Sequence, residues 1–115
     1  MEYLMMISDV EKEQLKPGDP GFEDLMAEYA AFGQMVEKLG IVRGGARLQH
    51  TSTATTVRVR DGKTLTTDGP FAETKEQFGG YFLLDCKDLD QAIELAAKIP
   101  SAKHGSIEVR PLWCE

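Results

Sequence analysis

The densest group of side chains able to do chemistry lies between Thr67 and Tyr81, in TDGPFAETKEQFGGY. Asp68 is a carboxylate beside a turn, suited to act as a general base or to anchor a ligand. Glu73 offers a second carboxylate, and Lys75 a cation that can stabilise a developing oxyanion. Phe71 and Tyr81 can line a ligand site, the tyrosine with a hydroxyl to offer. Arg58 and Arg60 alternate onto one strand face and can grip an anion. His50, beside Thr51 and Ser52, offers an imidazole, a side chain suited to acid–base work. Each has a plainer reading. Asp68 can accept backbone N–H groups as an Asx turn. Glu73 and Lys75 can be a solvated pair, Phe71 a plug seating the loop, and Tyr81 a core ring with one wet end. Arg58 and Arg60 can keep a sheet edge soluble, and His50 and His104 can be surface residues.

Gly69 and Pro70 dictate how this loop is held. Glycine tolerates positive φ, and the residue before a proline is driven to extended geometry. The Gly44-Gly45 and Gly79-Gly80 pairs fit no phosphate-loop spacing and read as bulges or close backbone approaches. Cys86 and Cys114 form no CxxC or Cys/His cluster, so no metal, cofactor or disulfide framework is expected.

The chain of 115 residues has the length of one domain, taken as 1–115. Its net charge of −6 argues against a nucleic-acid partner, because backbone binding needs a basic face. The N-terminal MEYLMMISD lacks the basic start and long apolar region of a secretory signal. No apolar run is long enough for a membrane span, so a cytoplasmic location with reduced thiols is expected.

Periodicity places the elements. Tyr3–Ile7 reads as a strand apolar on both faces. Asp19-Pro20 reads as the start of an amphipathic helix carrying Phe22, Leu25, Met26, Tyr29, Phe32, Val36 and Leu39, stopped by Gly40. A strand is expected around Ala46–Gln49. Thr55–Arg60 and Lys63–Thr67 form a hairpin about Asp61-Gly62. Gly80–Cys86 is a second strand apolar on both faces. Asp88 caps a helix with inner stripe Leu89, Ala92, Ile93 and Ala96, ended by Pro100. Ile107 and Val109 alternate in a last strand.

The order is β-α-β, a hairpin, then β-α-β: an α+β, ferredoxin-like split β-α-β sandwich with an inserted hairpin. Its helices cover one sheet face only. A second copy packed sheet to sheet is the economical cover for the other, giving a homodimer with a barrel-like interior.

The stretches TATTVRVRDG, TDGPFAETKEQFGGYFLLD and GSIEVRPL closely resemble the DGPF branch of the YCII-related family, with Asp68, Gly69, Pro70 and Phe71 standing as its motif. The resemblance runs from about Tyr3 to Leu112. It implies a dimeric α+β barrel. In related members a His–Asp pair in a cleft suggests an enzyme, by analogy with muconolactone-isomerase-like proteins. Some members of the branch are associated with extracytoplasmic-function sigma factors. Only Asp68 of the pair transfers here, since neither His50 nor His104 lies near the first helix. Two readings follow. One is a cleft for a small molecule around the DGPF loop, with cofactor-free acid–base chemistry at Asp68. The other is a non-catalytic sensor or protein-interaction module.

Overall fold

A computed structural model describes residues 1–114. Glu115, the last residue of the expected domain, lies outside the described residues. The strands are β1 (Glu2–Asp9), β2 (Val42–Arg47), β3 (Thr55–Arg60), β4 (Lys63–Asp68), β5 (Gln77–Asp85) and β6 (Ser106–Pro111). The helices are α1 (Phe22–Lys38) and α2 (Leu89–Ala96), with 3-10 turns at Glu11–Glu13, Thr51–Thr53 and Pro100–Lys103. Four strands form an antiparallel sheet in the order β2-β5-β1-β6, and β3 pairs only with β4. This is the ferredoxin-like arrangement, with the hairpin inserted between β2 and β5. The two strands that read apolar on both faces, β1 and β5, hold the centre.

Alternation along these strands sorts the two sheet faces. Tyr3 and Met5 pair with Leu84 and Phe82, and their face takes both helices. Tyr3, Met5, Leu84 and Cys86 pack there with Phe32, Val36, Ala92, Leu95 and Ile99. The Phe32 and Phe82 rings meet edge to face at 5.1 Å. Leu4 pairs with Leu83, and Met6 with Tyr81, on the opposite face. None of these four is fully buried.

Four local expectations are corrected. Asp19 does not cap α1: its carboxylate accepts from the Lys16 N–H at 2.7 Å, closing the Pro17-Gly18 turn, and the helix begins only after Gly21 at φ 89°. β2 starts at Val42, not Ala46, because Gly44 and Gly45 lie within the strand. A Cβ on Gly45 would stand 3.1 Å from the Tyr81 carbonyl oxygen, so the glycine permits a close cross-strand approach. β5 starts three residues early, at Gln77. On α2, Ala92 and Ala96 are buried as expected, but Leu95 joins them while Leu89 and Ile93 are half exposed. The helix is rotated because Leu95 and Ile99 fill the core beside Leu84. Its cap holds: the Asp88 side chain accepts from the Gln91 N–H at 2.9 Å.

Two features of this frame can be measured. Leu84→Ala should lose about 2–5 kcal/mol in urea unfolding through its cavity, whereas Ile93→Ala should lose about 0.5 kcal/mol or less. Equal losses would mean that Ile93, not Leu95, faces the core.

Candidate functional site

β1 ends at Asp9, where the chain leaves the sheet and turns through Glu11–Glu13. Beside this exit, between α1, the ends of β2 and β5, and the Pro100–Lys103 turn, lies a cavity of about 780 Å³. That volume suits a small organic ligand. Most of its wall is apolar, with Ile7, Leu15, Leu25, Met26 and Phe82 prominent. Its polar and charged groups come from distant segments: Asp9, Glu13, Gln14, Asp24, Glu28, Tyr29, Arg47, Ser101, Lys103 and His104.

Some of these groups are held by one another. The Asp9 carboxylate accepts from Gln14 Nε2 at 2.6 Å, and Gln14 Oε1 lies 3.0 Å from His50 Nε2. The Tyr29 hydroxyl hydrogen-bonds to the buried Ser101 hydroxyl. Burial lifts the Tyr29 phenol above its ordinary range; the Ser101 hydrogen bonds oppose that, Asp9 adds to it and Arg47 opposes it. Tyr29 is therefore a neutral donor at physiological pH. Gly105 locks this corner from behind. A Cβ there would fall 2.3 Å from the Ser8 carbonyl oxygen and 2.9 Å from Asp9 Cβ.

Among the lining groups, the Asp9 carboxylate, the neutral Tyr29 phenol and the Arg47 guanidinium suit one class of chemistry. The carboxylate can take a proton, while phenol and guanidinium stabilise the oxyanion formed on an adjacent carbonyl.

The residues singled out from the sequence fall in two places. Tyr81 borders the cavity from its place on β5, although its register sets it on the sheet face away from the helices; His104 is at the exposed rim, and His50 reaches the cavity through Gln14. Asp68, Phe71, Glu73 and Arg58 line neither this cavity nor a second of about 560 Å³, which Lys75 lines with Glu11 and Thr51. Asp68 ends β4, exposed, and its carboxylate accepts no hydrogen bond among the described residues. The turn is tied instead by Gly69 N–H to the Ala54 carbonyl at 2.7 Å and by the Thr56 hydroxyl to the Gly69 carbonyl at 2.8 Å. The Asx-turn reading of Asp68 is thus corrected. So is Phe71 as a plug: its ring is 79% exposed, and its carbonyl accepts from Arg58 at 3.4 Å. Glu73 is exposed. Arg60 donates to the Val59 carbonyl at 3.0 Å near the hairpin tip.

Asp9, Gln14, Tyr29, Arg47 and Ser101 were not singled out from the sequence. The one available signal was Tyr29, the hydroxyl within an otherwise apolar helical stripe, since a buried tyrosine needs a polar partner.

Among known proteins, the family model described as the YCII-related domain matches residues 1–114. A protein of Rhizobium meliloti (strain 1021), described as uncharacterized, is 42% identical over 92 residues, covering 78% of this chain and 74% of that protein. A solved structure of 5-chloro-2-hydroxyhydroquinone dehydrochlorinase (TftG) from Burkholderia phenoliruptrix AC1100, in complex with 2,5-dihydroxybenzoquinone, superposes with a TM-score of 0.50. It covers 98% of this chain and 94% of that one at 16% identity, a likeness of fold.

Tyr29 leaves a signature in the pH dependence of stability. Its folded pKa is raised, so the unfolded chain loses this proton first, and stability falls as pH rises from about 10 toward the folded value. Urea midpoints between pH 9 and 11 should fall more steeply for the wild type than for Tyr29→Phe. Parallel curves would place the phenol in water.

Proposed function

The chain belongs to the YCII-related domain family, and within it we propose a protein that binds a small carbonyl compound between α1 and the sheet and moves a proton on it without a cofactor. The observation that carries this reading is the largely apolar cavity of about 780 Å³ on which Asp9, Tyr29 and Arg47 converge. In the proposed step Asp9 takes a proton from the carbon next to the carbonyl. The electron pair of that C–H bond moves onto the carbonyl oxygen, which Arg47 and the Tyr29 hydroxyl stabilise. The proton then returns to another atom of the same molecule, so no oxidant or reductant is required. Gln14 orients the carboxylate, with His50 behind it.

The proposed working unit is a homodimer in the cytoplasm, its partner covering Leu4, Met6, Tyr81 and Leu83. Two observations support the dimer. The chain has a radius of gyration of 16.2 Å, against about 13 Å for a compact chain of this size. It is also only 19 Å thick, two layers with one sheet face uncovered. In such an assembly Asp68, Glu73 and Lys75 would act as rim groups, met by a ligand only once a second copy lies against their loop. Both cysteines are free thiols. Among the described residues no helix is long and apolar enough to cross a membrane.

The experiment begins with 2,5-dihydroxybenzoquinone, the ligand of the structurally similar dehydrochlorinase, and a panel of cyclic ketones and enol lactones. Binding is followed by calorimetry. Exchange of the proton next to the carbonyl is followed by NMR in deuterated water. Arg47→Ala should weaken binding of an anionic probe about tenfold or more, the scale of one charge-assisted hydrogen bond. Asp9→Asn should keep binding but slow exchange by about a hundredfold or more. Binding with unchanged exchange in Asp9→Asn would replace the catalytic reading with that of a sensor. Failure of the whole panel to bind would remove the small-molecule reading.

A further inference from the structure

The pairing of β1 with β5 slips at one point, beside the cavity. Ile7 pairs with Gly80 and Ser8 with Phe78, so Gly79 is an extra residue. This is a β-bulge, in which Gly79 and Gly80 together oppose Ile7. Phe78 and Tyr81, on either side of it, pair with Ser8 and Met6, which belong to the sheet face away from the helices. The bulge therefore lies on the same face as Ile7, and Ile7, Gly79 and Gly80 all line the cavity. Bulges next to a binding site change what the strand presents to it.

The two glycines are bare for different reasons. A Cβ on Gly80 would stand 3.0 Å from the Ala46 carbonyl oxygen, so the neighbouring strand forbids a side chain there. Gly79 has neither that constraint nor a positive φ. Among the described residues beyond its chain neighbours, a Cβ on it would meet only Gln14 Nε2, at 4.0 Å. Its backbone is fixed, with the Leu48 N–H donating to the Gly79 carbonyl at 2.8 Å. Alanine would fit this backbone and hold it better, because glycine loses more conformational freedom on folding than any other residue. What the bare position supplies is room, and the room adjoins the proposed base: Gln14 Nε2 is the nitrogen that donates to the Asp9 carboxylate at 2.6 Å.

We infer that Gly79 determines the specificity of this cavity: a cyclic carbonyl compound lies with its ring against the bare backbone of Gly79, its acidic C–H toward Asp9. This rests on the proposed function above and names its substrate class. A strand glycine admits close approach of a ligand that any side chain would push away. The Tyr29 and Phe82 rings border the same space, and aromatic walls favour a flat partner packed on them. The ring's carbonyl then falls to Tyr29 and Arg47, and its far edge to the apolar wall of Leu25 and Met26.

The test uses the full chain as wild type, Gly79→Ala and Gly79→Val, with cyclohexane-1,3-dione and acetylacetone as probes. Both probes carry an acidic CH2 between two carbonyls, and only the first closes it into a ring. Calorimetry gives the affinities and urea unfolding the stabilities. The wild type should bind the ring. Its affinity should fall about tenfold or more in Gly79→Val, the scale of a misfitting methylene in an apolar pocket, and by a smaller factor in Gly79→Ala. Acetylacetone should lose less in both variants. The urea midpoint of Gly79→Ala should equal or exceed that of the wild type, and this variant carries the test if valine disturbs the fold. A lowered midpoint in Gly79→Ala would show that the bulge needs glycine in order to fold, and overturns the inference. So does ring affinity unchanged in both variants, or an equal loss for the two probes, which would trace to a displaced Gln14. A wild type that binds acetylacetone but not the ring also overturns it, and leaves the cavity's proposed function standing. A wild type that binds neither probe removes that function, and the role of Gly79 with it.

Discussion

Met5 and Leu84 are fully buried on the two neighbouring central strands, and the molecule depends on their shared face. A sheet strand shows alternate side chains to opposite sides. Once Tyr3 and Met5 pack with Leu84 beneath the helices, Leu4, Met6, Tyr81 and Leu83 must project the other way. Two helices cannot cover both faces. The same alternation that builds the core therefore leaves an apolar surface on the far side.

The chain's flat shape follows from this arrangement. One layer of helices on one sheet gives a body 19 Å thick, and the hairpin widens the molecule to 48 by 45 Å. Glycine controls two tight places. Gly45 lets β2 run against the β5 backbone, and Gly105 lets the last turn sit against Ser8 and Asp9. Any larger residue at 105 would press on the segment that carries Asp9.

The cavity collects its polar groups from the end of β1, the middle of α1, the end of β2 and the turn after α2. Two of them are held in pairs, Asp9 by Gln14 and Tyr29 by Ser101, whereas the Arg47 side chain is exposed and makes no hydrogen bond among the described residues. Such mutual support fixes Asp9 and Tyr29 beside the apolar wall of the cavity. The DGPF loop lies elsewhere, on the return from the β3–β4 hairpin, where it is held by backbone bonds and keeps its charged side chains outward.

Local chemistry was legible wherever one residue type leaves the backbone little choice. Asp61 and Gly62, at φ 52° and 74°, make the hairpin turn that an Asp-Gly pair announces, Gly40 ends α1 at φ 70°, and Asp88 caps α2. The two doubly apolar strands named the sheet centre, and the element order named the topology. What stayed illegible was every choice between equivalent local options. Leu95 and Ile93 are both apolar, and only the space beside Leu84 selects Leu95 for the core. Asp19 suits a helix cap as well as a turn, and the Lys16 N–H took it. Asp9 and Asp68 are both strand-end carboxylates. By itself the sequence determined strands, turns, caps and their order, because these depend on neighbours within a few residues. Only the tertiary structure decided that Asp9 rather than Asp68 shares a cavity with Tyr29, Arg47 and Ser101, because that meeting is set by how β1 and β5 pair and by which face the helices cover.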